Sequence, residues 1–328
     1  MRIRVLGGGW YGCSIALALK QSGIDVELHE RAGELFTGAS GGNPARLHQG
    51  AHYPRNRQTR EHCQDHHAAF MHRYGFLTRG VPVNLYAIAA HDSLVDFGTY
   101  CQVLKGEIEF IRVRDPAEFG LKSVEGAILT GERHILVGEA RAYFARELAD
   151  VVRFHVEPCP VDDAAWDWTI DCTFCAMDAA GVERYEPCLT AILSGPTDKA
   201  VTIMDGPFPS LYPWDEQRGL VSLTSASLTP LARCRSRQEA EEVIAAQSPR
   251  ARNDRAMQMI QQMEQYYPDV TSFELARTLL SIRAQPRSGS DARLVDVVHI
   301  GSRALRVRAG KIDAVLLAED LVRSICSR

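Results

Sequence analysis

The constellation with the most specific chemistry in this sequence is three glycines, Gly7, Gly9 and Gly12, in the spacing G-x-G-x-x-G, followed by an acid at Glu30. Residues 3–6 form a short apolar run suited to a buried parallel strand, so the glycines fall between a strand and the start of a helix. In that place Gly7 permits a tight turn, Gly9 lets the backbone approach a pyrophosphate, and Gly12 lets the helix lie close on the strand. The helix N-terminus then turns its open N–H groups toward the phosphates. Ala16 keeps the contact face small, Gly23 is a natural helix stop, and residues 25–29 supply a second strand that ends in Glu30. A carboxylate at that point, about 20 residues past the glycines, accepts hydrogen bonds from a ribose. Residues 3–31 therefore predict a strand, turn, helix and strand that together hold a dinucleotide.

Other candidates carry less specific signals. Residues 43–55 crowd polar and aromatic groups, with Arg46, His48, His52 and Tyr53 among them. His62 and His66 lie one helical turn apart, but two imidazoles without a third ligand describe a solvated helix face better than a metal site. Cys172 and Cys175 form a single C-x-x-C, for which small thiols at a strand end are the simpler reading. No metal is expected. Residues 205–214 read as a proline-stiffened loop displaying Phe208, Tyr212 and Trp214, which could cover a flat ligand or pack on a sheet.

A chain of 328 residues with 45% hydrophobic content can build one large or two ordinary domains around a substantial core. A formal net charge of −4 gives no general pull toward nucleic acid or acidic membranes, so a small-molecule partner is the expectation. No apolar run approaches the ~18 residues of a membrane span. Nine scattered cysteines suit a reducing compartment, and a cytoplasmic location is expected.

The elements that must position these residues alternate in kind. Helical spacing is predicted at 59–74, 92–104, 141–148, 237–246, 251–267 and 311–325, with strands at 81–89, 108–112, 152–156 and 168–172. A small antiparallel pair is expected across the turn at 130–132. From residue 185 onward strand-like runs prevail, at 189–193, 200–204, 219–225, 272–281, 294–300 and 304–307.

With these residues in view the chain resembles the D-amino acid oxidase-like family of FAD-dependent oxidoreductases, nearest its L-2-hydroxyglutarate and glycerol-3-phosphate dehydrogenase branch. In that family a basic residue follows the acidic strand end, as Arg31 follows Glu30, and a Ser/Gly-rich segment with an H-x-G motif passes beside the pyrophosphate and flavin. Residues 38–42 and His48-Gln49-Gly50 match it, and Tyr53 stands where an aromatic is common. The resemblance implies an α/β fold: a Rossmann-like FAD-binding domain of residues 1–78, 134–178 and 284–328, interleaved with a β-rich α+β substrate domain of 79–133 and 179–283. It implies FAD, held by Gly7, Gly9, Trp10, Tyr11, Gly12, Glu30, Arg31, Ser40, Arg46, Leu47 and His48; some relatives link the histidine covalently to the flavin, and here noncovalent FAD is expected. Near the C-terminus, Arg308-Ala309-Gly310-Lys311-Ile312-Asp313 replaces the family's glycine-rich signature. Backbone N–H groups of Gly310, Lys311 and Ile312 would there face the N1 and C2 carbonyl side of the flavin.

The activity so implied is oxidation of a small amine, amino acid or 2-hydroxy acid by hydride transfer to flavin N5, with oxygen or another electron acceptor taking the electrons. A hydroxy acid needs a general base, for which His48 and His52 are the catalytic candidates. Substrate contacts are expected from Arg46, Tyr53, Tyr212 and Arg283, the last followed at a short interval by Pro286 and in competition with Arg287 for a substrate carboxylate. Flavin monooxygenation, a redox-neutral flavin reaction in a biosynthetic pathway, and a non-catalytic FAD-binding protein stand as alternatives.

Overall fold

The computed structural model describes all residues except 43, 158–162, 175, 178–181, 287–293, 309 and 327–328, so Cys175 and Arg287 lie outside the described residues. Strand β1 (Arg2–Leu6), with Ile3 and Val5 fully buried, lies between β2 (Asp25–His29) and β10 (Trp168–Asp171), both parallel to it. The sheet extends through β9 (Val152–Arg153) on one side and β17 (Ala304–Arg308) with antiparallel β16 (Asp296–Gly301) on the other, in the order β16-β17-β10-β1-β2-β9. Parallel strands buried on both faces read as apolar runs, and Ile3, Val5 and Leu6 made this strand legible although Arg4, 1% exposed and bonded to Asp163 and Thr169, interrupts them.

Helices α1 (Trp10–Gln21), α3 (Arg57–Tyr74), α5 (Val137–Glu147) and α8 (Val315–Cys326) pack with this sheet in one core. Trp10 sits at its centre: its indole stacks on Phe36 at 5.5 Å and meets Phe70, Tyr74 and Phe144 at 5.6 to 5.9 Å. A short helix α2 (Ala39–Gly42) precedes β3 (Arg46–Leu47). That strand joins β4 (Thr78–Gly80) and β8 (Arg133–Ile135) in a three-stranded sheet of order β3-β8-β4.

The second large layer is an eight-stranded sheet of order β15-β11-β14-β13-β12-β5-β7-β6. It is formed by β5 (Val83–Ala89), β6 (Phe110–Arg112), β7 (Val124–Thr130), β11 (Val182–Ser194), β12 (Lys199–Met204), β13 (Pro209–Asp215), β14 (Leu220–Ser225) and β15 (Glu274–Pro286). Helix α7 (Pro249–Glu264) covers one face with Met259, Ile260 and Met263 against Leu193, Leu211 and Leu223. Helix α4 (Phe97–Leu104) packs Tyr100 and Leu104 against Tyr86 and Ile128, and α6 (Arg237–Ala245) rests on β11.

Residues 205–214 are not a loop throughout, as their prolines suggested, because β13 occupies Pro209–Asp215. Both prolines are tolerable in it. Pro209 begins the strand, and β12 pairs with β13 only at Leu211 and Ser210, so Pro213 lies beyond that ladder. The predicted helix at 92–104 begins only at Phe97, where the Asp96 side chain accepts from Thr99 N–H as an N-cap. The terminal helix is entered through a 3-10 turn at Ile312–Ala314. Among the described residues no helix is long and apolar enough to cross a membrane, and no cluster of three His, Cys, Asp or Glu side chains could hold a metal ion.

A buried carboxyl marks the meeting of α1, α3 and α8. Glu319 is 5% exposed; Ser14 donates to its Oε1, and the Ser14 and Tyr74 hydroxyls are 2.6 Å apart. Burial pushes this carboxyl up from its usual 4.5 to about 7. The folded state thus holds a proton that the unfolded chain releases earlier, so stability is full below the unfolded value and falls as the pH rises through the folded one. The loss above pH 7 is about 3 kcal/mol, at ~1.4 kcal/mol per unit. Urea midpoints between about pH 5 and about pH 8 should therefore fall less for Glu319→Gln than for the wild type; parallel slopes would show that Glu319 does not titrate in this range.

Candidate active site

A single cavity of about 880 Å³ runs from the carboxyl ends of β1 and β2 to the face of the eight-stranded sheet. Its first end is built by the glycine turn. Gly7 has φ +98°, and a Cβ there would meet Cys172 O at 2.8 Å; a Cβ on Gly12 would stand 1.9 Å from Gly7 O. Only glycine permits this approach of α1 to β1. Gly9 is the N-cap of α1 and offers no side-chain cap, while Trp10 N–H donates to Ser40 Oγ at 2.9 Å. Glu30 is 7% exposed beside this turn, its two oxygens accepting from Gly8 N–H at 2.6 Å and Ala32 N–H at 2.8 Å. A carboxylate has about four acceptor sites, so those two bonds leave it able to accept from a ribose diol.

The middle of the cavity is lined by His48, His52 and Tyr53 from the segment after β3 and by Gly310, Lys311 and Ile312 before α8. The two imidazoles are 5.3 Å apart between ring centres, and Tyr53 lies edge-on to both. Lys311 places its ammonium over the Tyr53 ring at 4.1 Å, and its carbonyl accepts from the Tyr11 hydroxyl. Burial pushes His52 well below the ordinary histidine range, and the charges of His48, Arg46 and Lys311 add to this. Burial likewise lowers Lys311 and raises Asp313.

At the far end Arg46, 7% exposed, donates to Thr202 Oγ1 at 2.9 Å and to Ser210 Oγ, with its guanidinium 4.3 Å above the Tyr212 ring. Its Nε has no partner. Arg283 also lines the cavity, but Glu186 Oε2 accepts from both its Nε and its Nη2, at 3.0 and 2.5 Å. Arg184 and Gln285 hold the same carboxylate, and together these donors keep Glu186 near 2 against the opposing effect of burial. The guanidinium fork of Arg283 is therefore committed within the protein.

The structure brings together fifteen of the eighteen expected site residues along this cavity, and it separates three from it. Gly12 faces the strand behind the turn, Leu47 is fully buried in the first core, and Tyr212 lies beneath Arg46. Trp10 reaches the cavity only at its edge, with its indole in the aromatic cluster. Glu132, Tyr86, Thr202 and Ser210 were missed. Glu132 lies in the turn between β7 and β8 and is fully buried, with its Oε2 3.5 Å from His48 Nδ1.

The chain has a relative along nearly its whole length. It is 32% identical to the FAD-dependent monooxygenase FPY4 of Fusarium mangiferae over 98% of this chain and 90% of that protein, and residues 2–153 match the family model described as FAD dependent oxidoreductase, DAO. The chain belongs to this FAD-dependent oxidoreductase family. A shorter stretch, 29% of the chain, is 39% identical to 22% of the FAD-dependent monooxygenase kojA of Aspergillus flavus. Among solved structures, glycine oxidase from Geobacillus kaustophilus superposes with a TM-score of 0.70 at 15% identity, over 99% of this chain and 94% of that one. L-α-glycerophosphate oxidase from Mycoplasma pneumoniae with FAD bound gives 0.72 at 11% identity, over 100% and 94%. These likenesses establish the fold.

FAD is the cofactor of the family, and the residues present fit it. The helix N-terminus without a side-chain cap, the cradle that a Cβ at Gly7 or Gly9 would narrow, and the spare acceptor capacity of Glu30 suit a pyrophosphate and ribose. In this flavoprotein Gly12→Ala would drive a methyl into Gly7 O and push α1 off the strand. The purified variant should carry little or no yellow flavin per chain, whereas wild-type flavin content would refute the need for this approach.

Proposed function

We propose that this flavoenzyme oxidises a small hydroxylated substrate to the carbonyl compound, with His48 taking the hydroxyl proton. The observation that supports it best is the pair of half-buried imidazoles in the cavity wall, 5.3 Å apart, one of which is held neutral. An amine need only be bound unprotonated, but an alcohol must lose its O–H proton as its C–H bond breaks, and that requires a base within reach. Bound FAD supplies the two-electron acceptor for the C–H hydride, the electrons passing on to oxygen or another acceptor.

His52 is kept neutral by burial and by the positive groups around it, which leaves His48 as the ring of the pair that takes a proton. Arg46 orients the substrate. Its unpartnered Nε and its fixed plane on Tyr212 suit an oxygen substituent next to the reacting carbon, the carboxylate of a 2-hydroxy acid or a neighbouring carbonyl or hydroxyl. Arg283, bound to Glu186, has no part in this reading. Tyr53 and Lys311, in contact through ring and ammonium, form one side of the cavity. Monooxygenation is the second reading, favoured by the name of the relative that matches nearly the full chain.

His48→Gln keeps a polar side chain of similar reach but cannot accept the proton. Its flavin should stay bound while anaerobic reduction by a hydroxylated substrate slows by about 10²- to 10⁴-fold. A rate equal to that of the wild type would exclude His48 as the base.

A further inference from the structure

Glu132 is a carboxylate in a place where a carboxylate is hard to keep. It is fully buried, and burial raises its pKa against the opposing effect of its hydrogen bonds, of His52 and of Arg46. Its Oε1 accepts from Gln49 N–H at 2.7 Å and its Oε2 from the Tyr86 hydroxyl at 2.5 Å. A neutral glutamine could serve both of those partners, accepting from the amide with its oxygen and donating to the phenol with its NH₂. The packing of the turn therefore does not explain the charge. What remains is the imidazole, since Glu132 Oε2 lies 3.5 Å from His48 Nδ1 and the amide that Glu132 holds belongs to the next residue along the chain.

We propose that Glu132 is the positioning residue of His48, fixing its proton on Nδ1 so that Nε2 faces the substrate, and stabilising the imidazolium once Nε2 has taken the hydroxyl proton. The inference rests on the reading of His48 as the base. A carboxylate opposite one ring nitrogen selects the tautomer that donates to it, and the opposite nitrogen is left with its lone pair. A distance of 3.5 Å is long for a neutral imidazole and shortens when charge arrives, because the attraction of a full ion pair in a dry site far exceeds that of a neutral donor.

The other groups around Glu132 do not supply that charge. Tyr86, Tyr100 and Tyr212 are driven up by burial and stay protonated, and Cys63 likewise. His52 and His67 are driven down by burial and stay neutral. Arg46 is the standing cation that acts on the carboxylate, and its guanidinium donates to Thr202 and Ser210. The carboxylate is thus compensated in the resting state and gains a second cation when His48 is protonated.

The test is nitrogen NMR of the ¹⁵N-histidine-labelled holoenzyme, in wild type and Glu132→Gln, with His48→Gln used to assign the signal. The wild-type ring should be the Nδ1–H tautomer, and Glu132→Gln should lower the His48 pKa by about one unit or more, since an opposite charge at this range favours the charged form. The acid limb of the anaerobic reduction rate should move down with it, and the plateau should fall. A purely structural Glu132 would lower the plateau and move neither pKa nor limb. If Glu132→Gln does not hold FAD, the wild-type tautomer decides alone, and the Nε2–H form overturns the proposal. An unchanged His48 pKa in Glu132→Gln also overturns it. Undiminished reduction in His48→Gln would instead remove the base reading while leaving the pairing of Glu132 with His48 intact.

Discussion

The close approach of α1 to β1 is the constraint on which the rest of the structure depends. With 1.9 Å between Gly7 O and the position a Cβ would take on Gly12, the helix is locked in distance and direction. From that fixed point its N-terminus opens on the cavity, Tyr11 in its first turn ties the carbonyl of Lys311, and Ser14 one turn later meets Glu319 of α8. The chain's two ends are thereby brought to the same place. The segment that enters α8 lines the cavity next to the segment that leaves β3, although they are more than 250 residues apart in sequence.

The chemistry is assembled by the smallest of the three sheets. Strand β3 pairs with β8, with Arg46 opposite His134, so the turn that carries Glu132 is delivered to the side of His48 and Gln49. The same strand sends Arg46 across to Thr202 and Ser210 of the eight-stranded sheet. One short strand pairing therefore sets His48, Glu132 and Arg46, the residues of the proposed chemistry, relative to one another. Burial holds His52 neutral, and a low local dielectric strengthens each remaining charge interaction.

The parts of this arrangement that were legible in the sequence are the local ones. The glycine spacing, the acid after the second strand and the helix stop are separated by fewer than 30 residues and each has a backbone reason that fixes its type. The H-x-G segment was legible through its likeness to a family. Glu132 was not, because a Thr-Gly-Glu sequence at a hairpin is ordinary turn chemistry, and only the pairing of β3 with β8 turns its side chain inward. Arg283 was expected at the substrate from the strand and proline around it, and it does line the cavity. Glu186, which occupies it, lies 97 residues away on β11 and becomes its neighbour only through the register of β11 with β15. The aromatic run at 205–214 misled in the other direction, since prolines argue for a loop until the limits of the neighbouring ladder are known.

Which molecule reduces the flavin decides the reaction. Anaerobic titration of the yellow holoenzyme with a panel of small hydroxylated substrates, followed by the visible flavin band, puts this question directly. The account predicts that such a substrate alone bleaches the band, with the carbonyl product formed in equal amount and no reduced nicotinamide present. A band that no member of the panel bleaches, but that NADH or NADPH does, would contradict it and place the chain with the monooxygenases.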